Sequence, residues 1–402
     1  MVTFEEDIST AFSDLRRVTG ELFRAAGVAP DSPGEAARRL GLSRNLTWKF
    51  SRVMSDHDAF SALQHLPGDE GMEILAGAMG KAGVPRDMVA SFAAARKRLE
   101  DVIVRHTGDR GTFELMLDSM AGAGSAERLE QSRKLAFRGN SGVWGLQARV
   151  RTTTAFVAPA RDHSEMMDLA IIGGVVDFRR LRPGIRWPLF RPRQYHDDGT
   201  PVNLGAQGPK EEAIDPGSSG PETPLLIREF CSANMPPIRA VKSRLGYDYE
   251  LGDGPVGNLG AFTCYQGRLV RDAEFVYRTG TDRYLDLLSH VTMPAETMLF
   301  DMVVHRSLAF LQEPKVLLMA SADGVGPGRE EQTVPLESKL VEVTGTPAVV
   351  STSAVDRYGD VVSMVFARCG WAAREFRVKR LMIKYPPMHS VAVLRSVLPE
   401  KG

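Results

Sequence analysis

The sequence predicts an α+β protein, in which an all-helical N-terminal domain precedes a larger, β-rich and mainly antiparallel domain. Up to about residue 122, apolar residues recur every three or four positions, which is the period of an amphipathic helix. From about residue 143, apolar and polar residues alternate and Thr and Val are frequent, as in strands. Residues 121–126 are a run of Ala, Gly and Ser, and we assign residues 123–142 to a linker or hinge between domains 1–122 and 143–402.

Length and composition indicate a multidomain globular protein. A chain of 402 residues, 43% hydrophobic and 25% charged, is long enough for two or three domains, each with its own core. Lys plus Arg and Asp plus Glu number 50 each, so the chain as a whole is not a polycation. Any contact with nucleic acid must therefore come from a local basic patch.

The sequence also predicts a cytoplasmic location and no membrane partner. The three cysteines, Cys231, Cys264 and Cys369, are far apart and form no CxxC pair, which fits a reducing compartment. The N-terminus is acidic, unlike a signal peptide. The most apolar run, residues 166–178, is too short and too interrupted to span a bilayer.

The N-terminal domain is predicted to be a series of amphipathic helices. The first, residues 4–25, places Phe4, Ile8 and Phe12 on one side, and Gly27 follows it. After the central motif described next, the helical pattern continues over residues 57–66, 69–82, 86–106 and 110–121. We interpret these later helices as a scaffold that forms a homodimer.

Residues 32–54 predict two short helices joined by a tight turn. Ser32 is placed to cap the first helix, with Pro33 at its first position and Glu35 completing a capping pair. Gly41 permits the positive φ of a sharp turn. Ser43 then caps the second helix, whose predicted buried stripe is Leu46, Phe50 and Val53.

This pair resembles the helix-turn-helix module of bacterial transcriptional regulators. Ala37, Gly41, Leu42 and Ser43 stand where that motif requires them. The motif favours a branched apolar residue six positions after the glycine, and this sequence has Thr47 there. The resemblance covers residues 32–54 alone, and the C-terminal region resembles no family that we recognise. It implies double-stranded DNA as a partner.

The charge of this segment fits DNA binding. From Arg38 to Arg52 the chain carries five basic residues and no acidic one, and phosphate neutralisation supplies much of the affinity for DNA. The alternative is a helical hairpin whose basic face is merely solvated. The predicted DNA-binding residues are Arg38, Arg39, Ser43, Arg44, Asn45, Thr47, Trp48, Lys49 and Arg52.

The C-terminal domain is predicted to consist of strands joined by short turns. Gln266-Gly267 and Tyr358-Gly359-Asp360 are expected to link antiparallel hairpins, and residues 361–368 to form a strand. Further strands are expected over residues 225–231 and 348–355. Residues 195–224 are rich in Gly, Pro and acidic residues and predict a mobile excursion.

An arginine-rich stretch, residues 178–193, has the most unusual composition in the chain, with six arginines, three aromatic residues and no acidic residue. It could hold an acidic small ligand or phosphate through guanidinium contacts. Equally, it could be a surface ridge that pairs with acidic residues such as Glu211 and Glu212. The candidate anion-binding residues are Arg179, Arg180, Arg182, Arg186, Arg191 and Arg193.

The sequence predicts no catalytic site, metal site or cofactor. The eight histidines show no metal-ligand spacing, and no phosphate-binding glycine loop or nucleophile elbow is present. The main hypothesis is therefore a transcriptional regulator whose β-rich domain senses a small-molecule effector or mediates assembly. The alternatives are an enzyme or ligand-binding protein acting through the β-rich domain, and an assembly protein whose helical hairpin binds protein.

Overall fold

A computed structural model describes residues 3–120, 125–190, 210–217, 224–243, 246–280, 282–320 and 333–401. The chain forms two compact units, residues 1–129 and 130–402. This division lies within the predicted linker. Its greater part is a helix that continues to Trp144, while residues 121–124 lie outside the described residues.

The first unit is helical. Its long first helix carries a capping box in which the Thr3 hydroxyl accepts a hydrogen bond from the Glu6 amide at 3.3 Å and the Glu6 carboxylate accepts from the Thr3 amide at 3.1 Å. The described helices of this unit are α1 (Phe4–Ala25), α2 (Pro33–Leu40), α3 (Arg44–Ser55), α4 (Ala59–Leu63), α5 (Asp69–Lys81), α6 (Arg86–Thr107) and α7 (Arg110–Met120), and α8 (Ser125–Trp144) crosses into the second unit.

The core of the first unit lies mainly between α1 and α6. Ile8, Phe12 and Leu15 of α1 are buried there, together with Leu99 and Ile103 of α6. The amphipathic period of the sequence therefore predicted these helices and their buried sides correctly.

The second unit is built of strands. Its strands are β1 (Leu146–Pro159), β2 (Met166–Arg180), β3 (Trp187–Phe190), β4 (Lys210–Ala213), β5 (Ile238–Ser243), β6 (Gly246–Leu251), β7 (Phe262–Phe275), β8 (Tyr284–Val291), β9 (Ala295–His305), β10 (Lys315–Ala320), β11 (Val341–Val343), β12 (Phe376–Lys384) and β13 (Ser390–Val397). A helix, α9 (Tyr358–Cys369), lies between β11 and β12.

Three sheets make up this unit. The largest has the order β11-β12-β9-β1-β2-β7-β4, and the other two have the orders β10-β13-β8 and β3-β6-β5. Within the largest sheet β1 pairs with β9 in parallel, and every other recorded pair is antiparallel. The α+β class predicted from the sequence, with a mainly antiparallel second part, is confirmed.

Several local expectations for this region were wrong. Residues 361–368 belong to α9 and not to a strand, because Val361, Val365 and Phe366 all pack against the largest sheet at helical spacing. Gln266-Gly267 lies inside the continuous strand β7 and is not a hairpin turn. Residues 225–231 contain a short 3-10 helix, and residues 348–355 contain only isolated bridges and turns.

The predicted excursion over residues 195–224 contains a strand. Lys210–Ala213 forms β4, which pairs with β7 at the edge of the largest sheet. Residues 195–209 and 218–223 lie outside the described residues.

One buried carboxylate joins four elements of the second unit. Asp301 on β9 is fully buried, and Arg380 on β12 donates two hydrogen bonds to it at 2.8 and 2.7 Å. The Tyr358 hydroxyl at the start of α9 donates to the same carboxylate at 2.9 Å and lies 2.7 Å from the Thr154 hydroxyl on β1. The network therefore ties α9 to three neighbouring strands.

We expect Asp301→Ala to lower the free energy of unfolding by about 3–5 kcal/mol, because it leaves Arg380 as an uncompensated buried charge. The measurement is urea unfolding of the full chain. Asp360→Ala is the matched control, since Asp360 forms only an exposed pair with Arg357. Equal unfolding curves for the two variants would show that the network is energetically neutral.

Candidate nucleic-acid interface

The turn between α2 and α3 has the predicted geometry. Gly41 adopts the left-handed conformation with φ of 66°, and its amide donates to the Ala37 carbonyl at the end of α2. The Ser43 hydroxyl caps α3 by accepting a hydrogen bond from the Leu46 amide at 3.2 Å. The predicted cap on α2 is wrong, because the Ser32 side chain makes no capping hydrogen bond there.

The buried side of α3 differs by one residue from the predicted stripe. Thr47, Phe50 and Val53 are buried, whereas Leu46 is only half-buried. Thr47 is 1% exposed, and its hydroxyl lies 3.1 Å from the Arg44 carbonyl and 3.3 Å from the Ser43 carbonyl, to which it donates. Its prediction as a DNA contact is therefore wrong, because its methyl group faces the core and its hydroxyl is satisfied by the helix backbone.

The opposite side of α3 is polar and exposed. With 3.6 residues per turn, Asn45, Trp48 and Arg52 lie on the side of the helix away from the buried stripe, Arg44 lies at the edge of that side in the first turn, and all four are exposed. Lys49 borders this surface and is half-buried. We call Arg44, Asn45, Trp48, Lys49 and Arg52 the α3 surface.

An aromatic and cationic cluster lies at the centre of the α3 surface. The Trp48 side chain is 45% exposed, and the Arg52 guanidinium lies 5.6 Å from the centre of its ring. The ring of His65, which follows α4, packs edge-on against Trp48 at 5.4 Å. His65 was not among the predicted site residues, because no sequence pattern links residues 48 and 65.

The charges of this surface are largely uncompensated. Among the described residues, no carboxylate oxygen lies within 4.0 Å of Arg38, Arg44, Lys49 or Arg52. Burial lowers the pKa of His65 below 6.5, and the nearby charges of Arg52, Arg128 and Lys49 lower it further. The direction of this shift is that expected of a positive local potential.

Two of the predicted DNA-binding residues also have structural partners. The Arg39 guanidinium donates to the Gly27 carbonyl at 2.5 Å and lies 3.5 Å from the Glu35 carboxylate, so part of its charge is neutralised within α2. Ser43 is exposed but serves as the cap of α3. Arg38 is exposed and makes no recorded ion pair in the described structure.

The arginine-rich stretch of the second unit does not form one patch. Arg180 is 1% exposed and donates to the Ile185 and Gly252 carbonyls, while Arg182 donates to the Val143 carbonyl at 3.0 Å. Arg179 is half-buried and Arg186 is exposed. The predicted anion site is wrong for Arg180, because the residue is buried and its Nε and Nη2 donate to backbone carbonyls, while its Nη1 has no recorded partner. Arg191 and Arg193 lie outside the described residues.

The alternative, that this stretch pairs with Glu211 and Glu212, is not found for the arginines described. Glu211 and Glu212 instead lie near Arg268 and Arg271 of β7, at 3.7 and 3.8 Å. β4 and β7 are neighbours in the sheet, so these carboxylates face the charges of the adjacent strand.

The described residues contain no group of three or more His, Cys, Asp and Glu side chains that could hold a metal ion. Burial raises the pKa of the Cys231, Cys264 and Cys369 thiols, that of Cys369 to about 12, so all three remain protonated at neutral pH. None of the described helices combines the length and apolar character needed to span a bilayer.

Comparisons with known proteins assign no family to the chain. No family model matches it, and no curated protein matches it. One solved structure that it resembles, from Parabacteroides distasonis, is described as a "putative protease". The identity is 9%, the match covers 63% of this chain and 41% of that one, and the TM-score is 0.24. A likeness this weak carries no argument about fold or activity.

We expect Thr47→Val to be tolerated and Thr47→Lys to destabilise the first unit by more than about 2 kcal/mol, since a buried ammonium has no partner there. Thermal unfolding of the full chain measures the difference. Asn45→Lys, on the exposed side of the same helix, is the matched control and should change stability by less than about 0.5 kcal/mol. A mild effect of Thr47→Lys would contradict the observed rotation of α3.

We expect Arg52→Ala to raise the pKa of His65 towards 6.5, because it removes a nearby positive charge that disfavours the imidazolium. The titration of the ring protons of His65 by NMR measures this. Since the folded-state pKa is below the unfolded value, the contribution of His65 to stability is present above about pH 6.5 and is lost as the pH falls through the folded-state pKa. An unchanged pKa in the variant would mean that burial alone sets it.

Proposed function

We propose that this protein is a cytoplasmic transcriptional regulator that binds double-stranded DNA through α3. The proposal rests on the α3 surface. Its basic and amide side chains have no recorded carboxylate partner, and the other side of the helix is buried. In the helix-turn-helix module that residues 32–54 resemble, the second helix lies in the major groove and contacts base edges with its N-terminal residues.

The residues of the α3 surface suit different contacts. Arg44 and Asn45 lie in the first turn of α3, and their guanidinium and amide groups are those that pair bidentately with guanine and adenine. Lys49, Arg52 and Arg38 lie outside the first turn of α3, and their positive charges suit phosphate contacts. The exposed Trp48 ring offers an apolar surface for a thymine methyl group or the sugar edge.

The remaining parts of the proposal concern assembly and the second unit. DNA-binding modules of this kind commonly act as dimers on two half-sites, and we propose a homodimer. Exposed apolar side chains on the helices that follow the motif, among them Ile74, Val104 and Leu115, support an interface in this part of the chain. We assign the second unit the role of sensing a small-molecule effector or of assembly, without catalysis.

The double variant Arg44→Ala/Lys49→Ala should bind DNA more weakly and with a shallower salt dependence. Each lost phosphate contact lowers the slope of log K against log salt by about 0.9, so the loss of Lys49 should lower the slope by about 1, while the loss of Arg44 removes a base contact and weakens binding to the recovered site. The measurement is a salt series with full-length protein and a site recovered from fragmented genomic DNA by binding and sequencing.

The matched control is Arg24→Ala/Arg86→Ala, which removes the same net charge from exposed positions on α1 and α6. We expect the control to keep the wild-type slope and the recovered sites to be two-fold symmetric. Equal slopes for both double variants would remove α3 from the DNA interface. A stable oligomer with no DNA affinity would favour assembly instead.

A further inference from the structure

A polar cradle lies on one face of the largest sheet of the second unit. Thr153 on β1, Gly173 on β2 and Gln266 on β7 are directly opposite one another across the three strands. Residues directly opposite each other on neighbouring strands have their side chains on the same face of the sheet. Residues two apart along a strand also share a face, so Arg151 lies on the same face as Thr153. Gly173, which has no side chain, lies at the centre of the group.

The space over Gly173 is bounded by hydrogen-bond donors. A Cβ atom at Gly173 would lie 3.4 Å from the Gln266 amide nitrogen and 3.9 Å from Nη1 of Arg151. Both are ordinary van der Waals distances, so the position is open enough for an added atom. The Arg151 guanidinium and the Gln266 carboxamide therefore both lie beside the Gly173 backbone, which carries no side chain.

The Arg151 side chain is half-buried, and its guanidinium is only partly paired within the described chain. Its Nη1 donates to the Gly174 carbonyl at 3.2 Å, whereas its Nε is buried and has no hydrogen-bond partner. Among the described residues, no carboxylate oxygen lies within 4.0 Å of it. A guanidinium partly withdrawn from water is stabilised by a counter-charge, so an anionic ligand would bind favourably here.

The guanidinium nevertheless stays charged at neutral pH. Burial lowers the pKa of Arg151, but only to about 10. One side of the guanidinium faces the Phe190 ring on β3, 5.7 Å from the ring centre. The positive charge of Arg151 is thus a permanent feature of this face. Arg380 differs, because the Asp301 carboxylate neutralises its charge.

The neighbouring groups are polar, and the carboxylate of Glu211 lies near Arg268, not within 4.0 Å of Arg151. The Thr153 hydroxyl lies 2.8 Å from the Ser289 hydroxyl of β8, so one of the two can turn its hydrogen towards a ligand. Burial and the charge of Arg151 lower the pKa of His290 to about 4, so this imidazole is neutral at pH 7. Arg268, two residues beyond Gln266, adds a second guanidinium to the same face, 3.7 Å from the Glu211 carboxylate.

We propose that this cradle binds the oxyanionic group, carboxylate or phosphate, of a small ligand. Arg151 supplies the counter-charge, Gln266 and Thr153 supply hydrogen bonds, and the missing side chain of Gly173 leaves space for one oxygen of the ligand beside them. The proposal deepens the sensing role assigned to the second unit and rests on that role alone. It is independent of DNA binding by α3.

The test is the thermal unfolding of full-length protein titrated with sodium acetate and, separately, with inorganic phosphate, each against sodium chloride at equal ionic strength. Binding to the folded state should produce a saturable rise in Tm of about 2–5 °C. A rise with acetate alone identifies a carboxylate ligand, and a rise with phosphate identifies a phosphate ligand. Non-specific stabilisation by phosphate rises without saturation and is the same in every variant.

Two variants make the test specific. Arg151→Met should abolish the saturable rise while leaving the Tm without probe unchanged or higher, because it removes an uncompensated charge. Gly173→Ala should fold normally, since its Cβ fits, but fills the cradle and should weaken binding about 10-fold or more, the equivalent of one lost charge-assisted hydrogen bond. Arg161→Met, at an exposed arginine, is the matched control and should respond as the wild type does.

The proposal is overturned if neither probe produces a saturable rise in the wild type, or if Arg151→Met and Gly173→Ala respond as strongly as the wild type. A fall in Tm for Arg151→Met without probe, together with no response in the wild type, would show that the chain itself pairs the guanidinium. DNA binding is not part of this measurement, so either result leaves the role of α3 to be decided by the salt series.

Discussion

The packing of Thr47, Phe50 and Val53 into the core of the first unit fixes the rotation of α3. Only one side of α3 is buried. The helical period of 3.6 residues then determines which residues of α3 remain exposed. The α3 surface is the consequence. The Gly41 turn and the Ser43 cap determine where the helix begins, and so which residues stand in its first turn.

Three arginines of the second unit have different roles, because different groups accept their hydrogen bonds. Arg380 meets the Asp301 carboxylate and the Val350 carbonyl, and it holds strands together. Arg180 is buried and donates to the Ile185 and Gly252 carbonyls. Arg151 has one carbonyl and no recorded carboxylate, which leaves charge available for a ligand. A run of arginines in the sequence therefore says little about a site until their acceptors are known.

The errors of sequence interpretation in the second unit share a physical cause. The run Val361, Val362 and Val365 is β-branched and favours a strand, but burial against the largest sheet stabilises it as α9. Gly267 suggested a turn, yet it lies inside β7, where a side chain would clash with Ile172 and Ile227. In both cases long-range packing outweighed the local preference.

The sequence by itself determined the order of helical and strand-rich parts, the buried sides of the long helices, and the capped turn at Gly41, because hydrophobic period and turn chemistry are local. It also placed the basic residues of α3. Only the tertiary structure decided that Thr47 and not Leu46 is buried, that His65 packs against Trp48, and that Arg151, Gly173 and Gln266 meet on one face. Those contacts join residues far apart in the chain, and strand register and helix packing, which no local pattern encodes, bring them together.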